Sequence, residues 1–399
     1  MQIAVQLVPS YIEALVPYQA ARSVKEVCRL YGLDHAIKLA SNENPFGPSP
    51  DALTAISASL ATLSQYPSGG AELRAVLARQ FETSPANILA GSGSEAILSN
   101  IVQTFLCEDD EVLTADVTFP GFRVLAQSRG AACRTVPLRN WKLDLPGLAA
   151  AVDSRTKIIY LANPNNPTGA IFTRAEFEGF HSRIPERVLI VLDEAYYEYA
   201  KDVPEYPDSL DYRYDNVITL RTFSKAYGLA GARLGYGFGH EALISSLLKV
   251  KLPFEPSSLA EAAGIAALAD TAWLARGIEA TARGREYIAR ELSAMGVDVL
   301  PSYANFVMTL WPSPEAADGI VENLMKAGLI VRPLRSFGVP AGIRITVGTP
   351  DDNHLLISAL RRIMQQEYVA CNSPRRNVSR PAPRPISCPS TEPVTSNFG

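Results

Sequence analysis

Residues 188–193 read VLIVLD and residues 216–220 read NVITL, two short apolar runs with the length and composition of buried strands. Working outward, NILAG (87–91), EVLTAD (111–116) and KIIYLAN (157–163) repeat the pattern, with helically spaced segments between them. Such alternation, from about residue 45 to 240, predicts an α/β fold in which helices cover a mostly parallel sheet. Ligands of such sheets collect beyond the carboxyl ends of the strands, so function is sought in the residues that follow each run. Further on, an Ala- and Leu-rich helical stretch leads to shorter strand candidates at NFVMTL (305–310), GLIVRPL (328–334) and GIRITVG (342–348), which predict a second, smaller α+β unit. After Tyr368 the chain becomes rich in Pro, Ser and Arg and nearly free of apolar periodicity, the composition of a disordered tail over 369–399.

The chain has 399 residues, room for more than one domain of ordinary size, and its 47% hydrophobic and 20% charged residues mark an ordinary globular protein. Its 37 basic and 41 acidic side chains leave a formal charge of −4. That balance offers no basic field to phosphates and excludes nucleic acid as the main partner. Cys28, Cys107, Cys133, Cys371 and Cys388 form an odd, scattered set with no pair two residues apart. Neither a zinc knuckle nor a disulfide scaffold is suggested, and a reducing cytoplasm fits. No apolar run reaches the roughly 18 residues of a membrane helix, and the opening MQIAVQLVPSYIE lacks a basic segment ahead of an apolar one. A soluble, cytoplasmic protein that is not exported is expected.

Four segments at strand ends bear chemistry. In GSGSEAILSNIVQTFL (91–106), Ser92 and Glu95 have capping-box spacing, and the N–H groups of Gly93 and Ser94 at the helix start suit an anion. Taken alone, Gly and Ser before a helix more often mark a tight turn with a cap. Asp193 ends an apolar strand, where an unpaired carboxylate is costly and calls for a cationic partner. Lys225, in RTFSKAYGLAGARLGYG (221–237), is either a solvated loop residue or a desolvated amine of lowered pKa. NPNNPTG (163–169) is a fixed, non-helical turn. Together, phosphate-cradling amides, a buried carboxylate and a lysine at neighbouring strand ends suit a phosphorylated, positively charged aromatic cofactor, and they suggest pyridoxal phosphate. His35, His181, His240 and His354 show no metal-ligand spacing, and no metal is expected.

These segments, with KLASNENPFGPSP (38–50), QYPSGGAELR (65–74), VTFPGF (117–122), VLDEAYYEY (191–199), GLIVRPL and IRITVGTPDDN (343–353), resemble the fold-type-I pyridoxal-phosphate aminotransferases, most closely those acting on histidinol phosphate. The resemblance covers about residues 10 to 368, with the motifs in the expected order. It implies an N-terminal arm that joins the small domain (1–44), a large cofactor-binding domain (45–260) and a small C-terminal domain (261–368). By the same resemblance Lys225 is the Schiff-base lysine and proton carrier, Asp193 pairs with the pyridine nitrogen, and Tyr196 and Asn166 bond the ring O3′. The phosphate would rest on Gly93 and Ser94, with Thr222, Ser224 and Arg233 around it. Phe119 would stack on the ring, and Tyr66 would reach the phosphate from the other subunit of a homodimer. Arg344 and Arg332 would bind the anionic end of the substrate, or, read plainly, snorkel from surface strands. Asn42 would help close over the substrate.

Four residues at three places depart from the relatives. Glu95 and Ala96 stand where an Asp-Glu pair is frequent, and Phe119 stands where Tyr is frequent. Glu255, in KLPFEPSS (251–258), occupies a loop that is more often neutral; facing the pocket, it would oppose an anionic substrate tail. The function expected is transfer of an amino group from histidinol phosphate to 2-oxoglutarate. The alternatives are an aromatic or other amino-acid aminotransferase of specialised metabolism, and a decarboxylase using the same Lys225 and Asp193. A non-catalytic regulator fused to a DNA-binding unit is disfavoured, since only about forty weakly basic residues precede SNENP.

Overall fold

The computed structural model describes residues 7–16 and 21–372. Seven strands build the principal sheet: β1 (Ile88–Gly91), β2 (Glu111–Ala115), β3 (Ala132–Val136), β4 (Thr156–Ala162), β5 (Leu189–Asp193), β6 (Val217–Thr222) and β7 (Gly235–Gly239). Their spatial order is β1-β7-β6-β5-β4-β2-β3, parallel throughout except that β7 runs against both β1 and β6. The chain is an α/β protein with a mostly parallel sheet.

Alternation along the central strands sends successive side chains into two different cores. Ile158, Tyr160 and Ala162 of β4, with Leu189 and Val191 of β5, pack under the helix Ser94–Phe105; Ile159, Leu161, Ile190 and Leu192 pack against Phe177 and Phe180 on the opposite face. By this alternation Asp193 lies on the same face as Tyr160 and the helix Ser94–Phe105.

A four-stranded antiparallel sheet forms the smaller unit, in the order β10 (Arg332–Pro333), β11 (Gly342–Thr346), β9 (Phe306–Leu310) and β8 (Asp298–Leu300). Its core is shared with the helices Thr271–Ala294, Pro314–Lys326 and Pro350–Asn372. GLIVRPL does not form one strand. Leu329–Ile330 pairs in parallel with Ile37–Lys38, and the chain then breaks at Val331 so that Arg332–Pro333 joins β11. The first pairing ties the segment from Leu39 onward to the smaller unit and carries it over the principal sheet.

The helix Ser258–Ala269 crosses the position expected to divide the two domains. Its Ala260, Ala263, Ala267 and Leu268 share a core with Leu73, Phe223 and Tyr236, so it packs with the principal sheet. The helix Pro350–Asn372 also runs through the first four positions of the expected tail, because nothing that breaks a helix precedes Pro374. The rest of that tail lies outside the described residues. Among the described residues, no helix is long and apolar enough to cross a membrane.

Candidate active site

One cavity of about 330 Å³ lies where the ends of β4, β5 and β6 meet the smaller sheet. Asn42, Ser94, Phe119, Asn166, Asp193, Tyr196, Thr222, Ser224, Lys225, Arg233, Arg332 and Arg344 all line it. Gly93 adjoins Arg233 at its edge.

The anion end is built from backbone. Gly93, at φ +88°, is the N-cap of the helix Ser94–Phe105, and no side chain caps it. The capping box expected of Ser92 and Glu95 is therefore absent. The left-handed turn at Gly93 puts Ser92 one residue outside the cap position; the Gly93 amide, expected to face an anion, instead donates to the Gly91 carbonyl at 2.8 Å, so the anion donors are the helix amides from Ser94 onward. Behind them β7 comes close: a Cβ on Gly235 would stand 2.4 Å from the Ser94 nitrogen. Arg233, at φ +55°, donates to Ser224 Oγ at 3.4 Å, and Ser224 N donates to Thr222 Oγ1 at 3.1 Å. Glu255 is not among the residues lining the cavity. Its Oε1 accepts the Ser92 amide at 2.9 Å, so its charge is spent on the loop's backbone and does not face a substrate tail.

Asp193 is buried at the end of β5. Its Oδ2 accepts the Tyr160 hydroxyl at 2.6 Å and its Oδ1 accepts the Ala195 amide at 3.1 Å. Burial raises its proton affinity, while these two donors and the Lys225 charge work against that rise. Lys225 Nζ donates to the Ser41 carbonyl at 3.1 Å. Burial first and the nearby Arg344 charge second pull this amine down to about 8. It is the desolvated amine, not the solvated loop residue.

Asn42 is held at φ +56° by Thr346 of β11, whose Oγ1 accepts its amide and donates to its Oδ1, each at 3.0 Å. Its Nδ2 donates to the Tyr196 hydroxyl at 2.7 Å. Arg332 and Arg344 face each other across β10 and β11, and both are buried, so neither snorkels to solvent. Arg344 donates to Asn166 Oδ1 and, at 2.8 Å, to the Ala40 carbonyl. Phe119 stands at the cavity beside Gly121, where a Cβ would meet its ring at 2.5 Å. Tyr66 is the predicted site residue that the fold leaves outside: it is 81% exposed and stacks on Phe254 at 4.2 Å.

Sequence reasoning missed three features. Ser41 and Tyr160 line the cavity unpredicted; a tyrosine inside an apolar strand was a usable signal, since a buried phenol needs a partner. Behind the site, fully buried Arg221 donates to Glu194 at 2.8 Å and to Asp208 at 2.9 Å. Such an arrangement can hold a dianion at the helix start, a cationic ring nitrogen at Asp193, a carbonyl carbon at Lys225 and a second anion between the arginines.

The chain is similar to known proteins over most of its length. A histidinol-phosphate aminotransferase of Anaeromyxobacter sp. (strain Fw109-5) is 40% identical over 362 residues, covering 90% of this chain and 99% of that one. The crystal structure of histidinol-phosphate aminotransferase from Sinorhizobium meliloti, in complex with pyridoxal-5'-phosphate, superposes with a TM-score of 0.82 at 33% identity, covering 92% of this chain and all of that one. An aspartate aminotransferase of Thermus thermophilus, 22% identical over 89% of this chain and 99% of its own, shares the fold with a TM-score of 0.78. Residues 34–360 match the family model of aminotransferase class I and II, and the chain belongs to that family.

Proposed function

We propose that this protein is a pyridoxal-phosphate-dependent aminotransferase that takes the amino group of histidinol phosphate and passes it to 2-oxoglutarate. The observation that carries this reading is the pair of buried arginines, Arg332 and Arg344, facing the cavity that also holds Lys225 and Asp193. The residues fit the cofactor. The uncapped helix start at Gly93 and Ser94, with Ser224 and Arg233, suits its phosphate, Asp193 its ring nitrogen, Phe119 its ring face, and Asn166 and Tyr196 its phenolic oxygen. When bound, the cofactor supplies the electron sink that lets the donor's amine-bearing carbon give up a proton.

Lys225 Nζ is the base for that proton and later returns it, since an amine lowered from 10.5 to about 8 gives up its own proton far more readily near neutral pH than an ordinary lysine does. Asn42, by donating to the Tyr196 hydroxyl, holds that hydroxyl at the cavity, where it would meet the cofactor oxygen. Arg332 and Arg344 take the substrate phosphate in one half reaction and the 2-oxo acid's distal carboxylate in the other, as guanidinium forks suit either anion.

The exposed Leu53, Leu60, Leu63, Tyr66, Leu252 and Phe254 support a homodimer in which Tyr66 completes the partner's phosphate site. We place the enzyme in the cytoplasm, with residues 45–260 and the rest of the helix Ser258–Ala269 as the cofactor-binding part, the residues from there through the helix Pro350–Asn372 with the N-terminal arm as the smaller part, and the residues beyond it as a tail. The test is a half reaction without acceptor: purified yellow holoenzyme is mixed with histidinol phosphate, or with aromatic and basic amino acids, and conversion to pyridoxamine phosphate is followed. Fast conversion by histidinol phosphate is expected. Conversion by another amine alone would reassign the donor, and carbon dioxide release without acceptor would make the protein a decarboxylase.

A further inference from the structure

We propose that Tyr160 is a positioning residue for the transamination, its hydroxyl keeping the Asp193 carboxylate ionised and aimed into the cavity; this rests on the pyridoxal-phosphate reading above. Tyr160 sits in β4 opposite Val191, and Ala162 sits opposite Asp193, so the phenol starts two positions below the carboxylate on the same face of the sheet. It is fully buried, and its hydroxyl reaches Asp193 Oδ2 at 2.6 Å. The buried Phe122 ring stacks on it at 4.5 Å and 11°, a contact made by the ring face and not by the hydroxyl. Packing alone does not ask for that hydroxyl, because phenylalanine fills the same space between Phe122 and the sheet.

Asp193 is desolvated, and a desolvated carboxylate tends to take up a proton. Tyr160 and the Ala195 amide oppose this from the protein side, Lys225 adds a favourable charge, and Glu95 an unfavourable one. Burial and the Asp193 charge hold the Tyr160 hydroxyl well above its ordinary ionisation range, so it remains a donor at working pH. A proton that moved onto Asp193 would weaken the pairing with a cationic ring nitrogen, and with it the electron sink. A hydrogen bond to a charged group of this kind is worth roughly one to two units of carboxylate pKa.

The experiment is a double-mutant cycle read in the holoenzyme. Tyr160→Phe should lower kcat roughly ten- to a hundredfold, with the KM of the amino donor little changed. It should also shift the pH midpoint at which the bound cofactor's visible band titrates, by about one unit. In an Asp193→Asn background the same change should alter kcat by no more than about twofold, because Tyr160 then has no carboxylate to act through. Phe122→Leu, which removes the stack but keeps the hydroxyl, should lower the melting temperature and leave the band's midpoint in place. Equal losses in both backgrounds, an unmoved midpoint in Tyr160→Phe, or a midpoint moved as far by Phe122→Leu would each overturn the proposal. An unaltered protein that takes up no pyridoxal phosphate would instead overturn the cofactor reading, and the proposal with it.

Discussion

Gly235→Ala tests the anion end of the site without removing any group that would touch a ligand. The new Cβ would stand 2.4 Å from the Ser94 nitrogen and 2.7 Å from the Gly93 carbonyl carbon. Both neighbours are backbone, so no side-chain rotation relieves the contact, and reaching an ordinary separation of about 3.4 Å requires the loop to retreat by about 1 Å. A phosphate seated by the rest of the site would then find at least one of the loop's amides about 1 Å from its hydrogen-bonding position near 2.9 Å, and that bond would be lost. One such charge-assisted bond is worth about 1.5–3 kcal/mol, so the dissociation constant of pyridoxal phosphate should rise roughly ten- to a hundredfold. The assay is fluorescence titration of apoenzyme with the cofactor. Gly237→Ala is the control: its Cβ would press at 2.9 Å on Leu220 and not on the loop, so it should lower the melting temperature with little loss of affinity. A folded Gly235→Ala variant of unchanged affinity, or an equal loss in Gly237→Ala, would refute the reasoning.

Lys225→Met should stabilise the apoenzyme at pH 7 by up to about 3 kcal/mol, since an amine lowered from 10.5 to about 8 penalises the folded state while it is protonated. The unfolded chain binds the extra proton between those values, so the penalty is complete below about pH 8 and fades toward 10.5; urea melts showing an advantage that is flat with pH would contradict this. Phe254→Asp, at a 51% exposed ring stacked on Tyr66, should shift the protein to monomer by light scattering and weaken cofactor binding, whereas a stable dimer would remove this face from the interface. Glu255→Gln keeps an acceptor for the Ser92 amide, so the KM for histidinol phosphate should change by no more than about twofold; a large fall would return Glu255 to the pocket.

The residues that were easiest to see in the sequence are those whose local pattern is set by burial. VLIVLD and NVITL are apolar because both faces of β5 and β6 are covered, and that same burial makes Asp193 and Lys225 conspicuous where the strands end. What escaped notice was shaped by other demands. β7 reads GYGFG, with the apolar signal removed because Gly235 must admit the Ser94 loop and Gly237 the Leu220 side chain. β3 is an edge strand, ACRTV, partly solvated along its length and so without a strong apolar run. GLIVRPL looked continuous because its residues are nearly all buried, yet a strand that switches partners at Val331 keeps its composition while changing its sheet.

The same distinction explains why individual roles were harder to see than the residues themselves. Ser92 has the spacing of a cap, but one positive φ at Gly93 shifts the helix start past it, and spacing cannot register a dihedral angle. Glu255 has the charge to repel a substrate, but its direction depends on a backbone amide 163 positions away in sequence. Arg344 carries the argument furthest, since its charge acts on Lys225 as well as on any anion in the cavity. Part of the lowering of the Lys225 amine comes from that guanidinium, so an anionic substrate seated against Arg344 offsets the cause and makes the amine a stronger base as the substrate arrives. On the function proposed above, specificity for an anion and the timing of proton transfer would be joined in one side chain, which a motif match at Arg344 or Lys225 taken singly does not reveal.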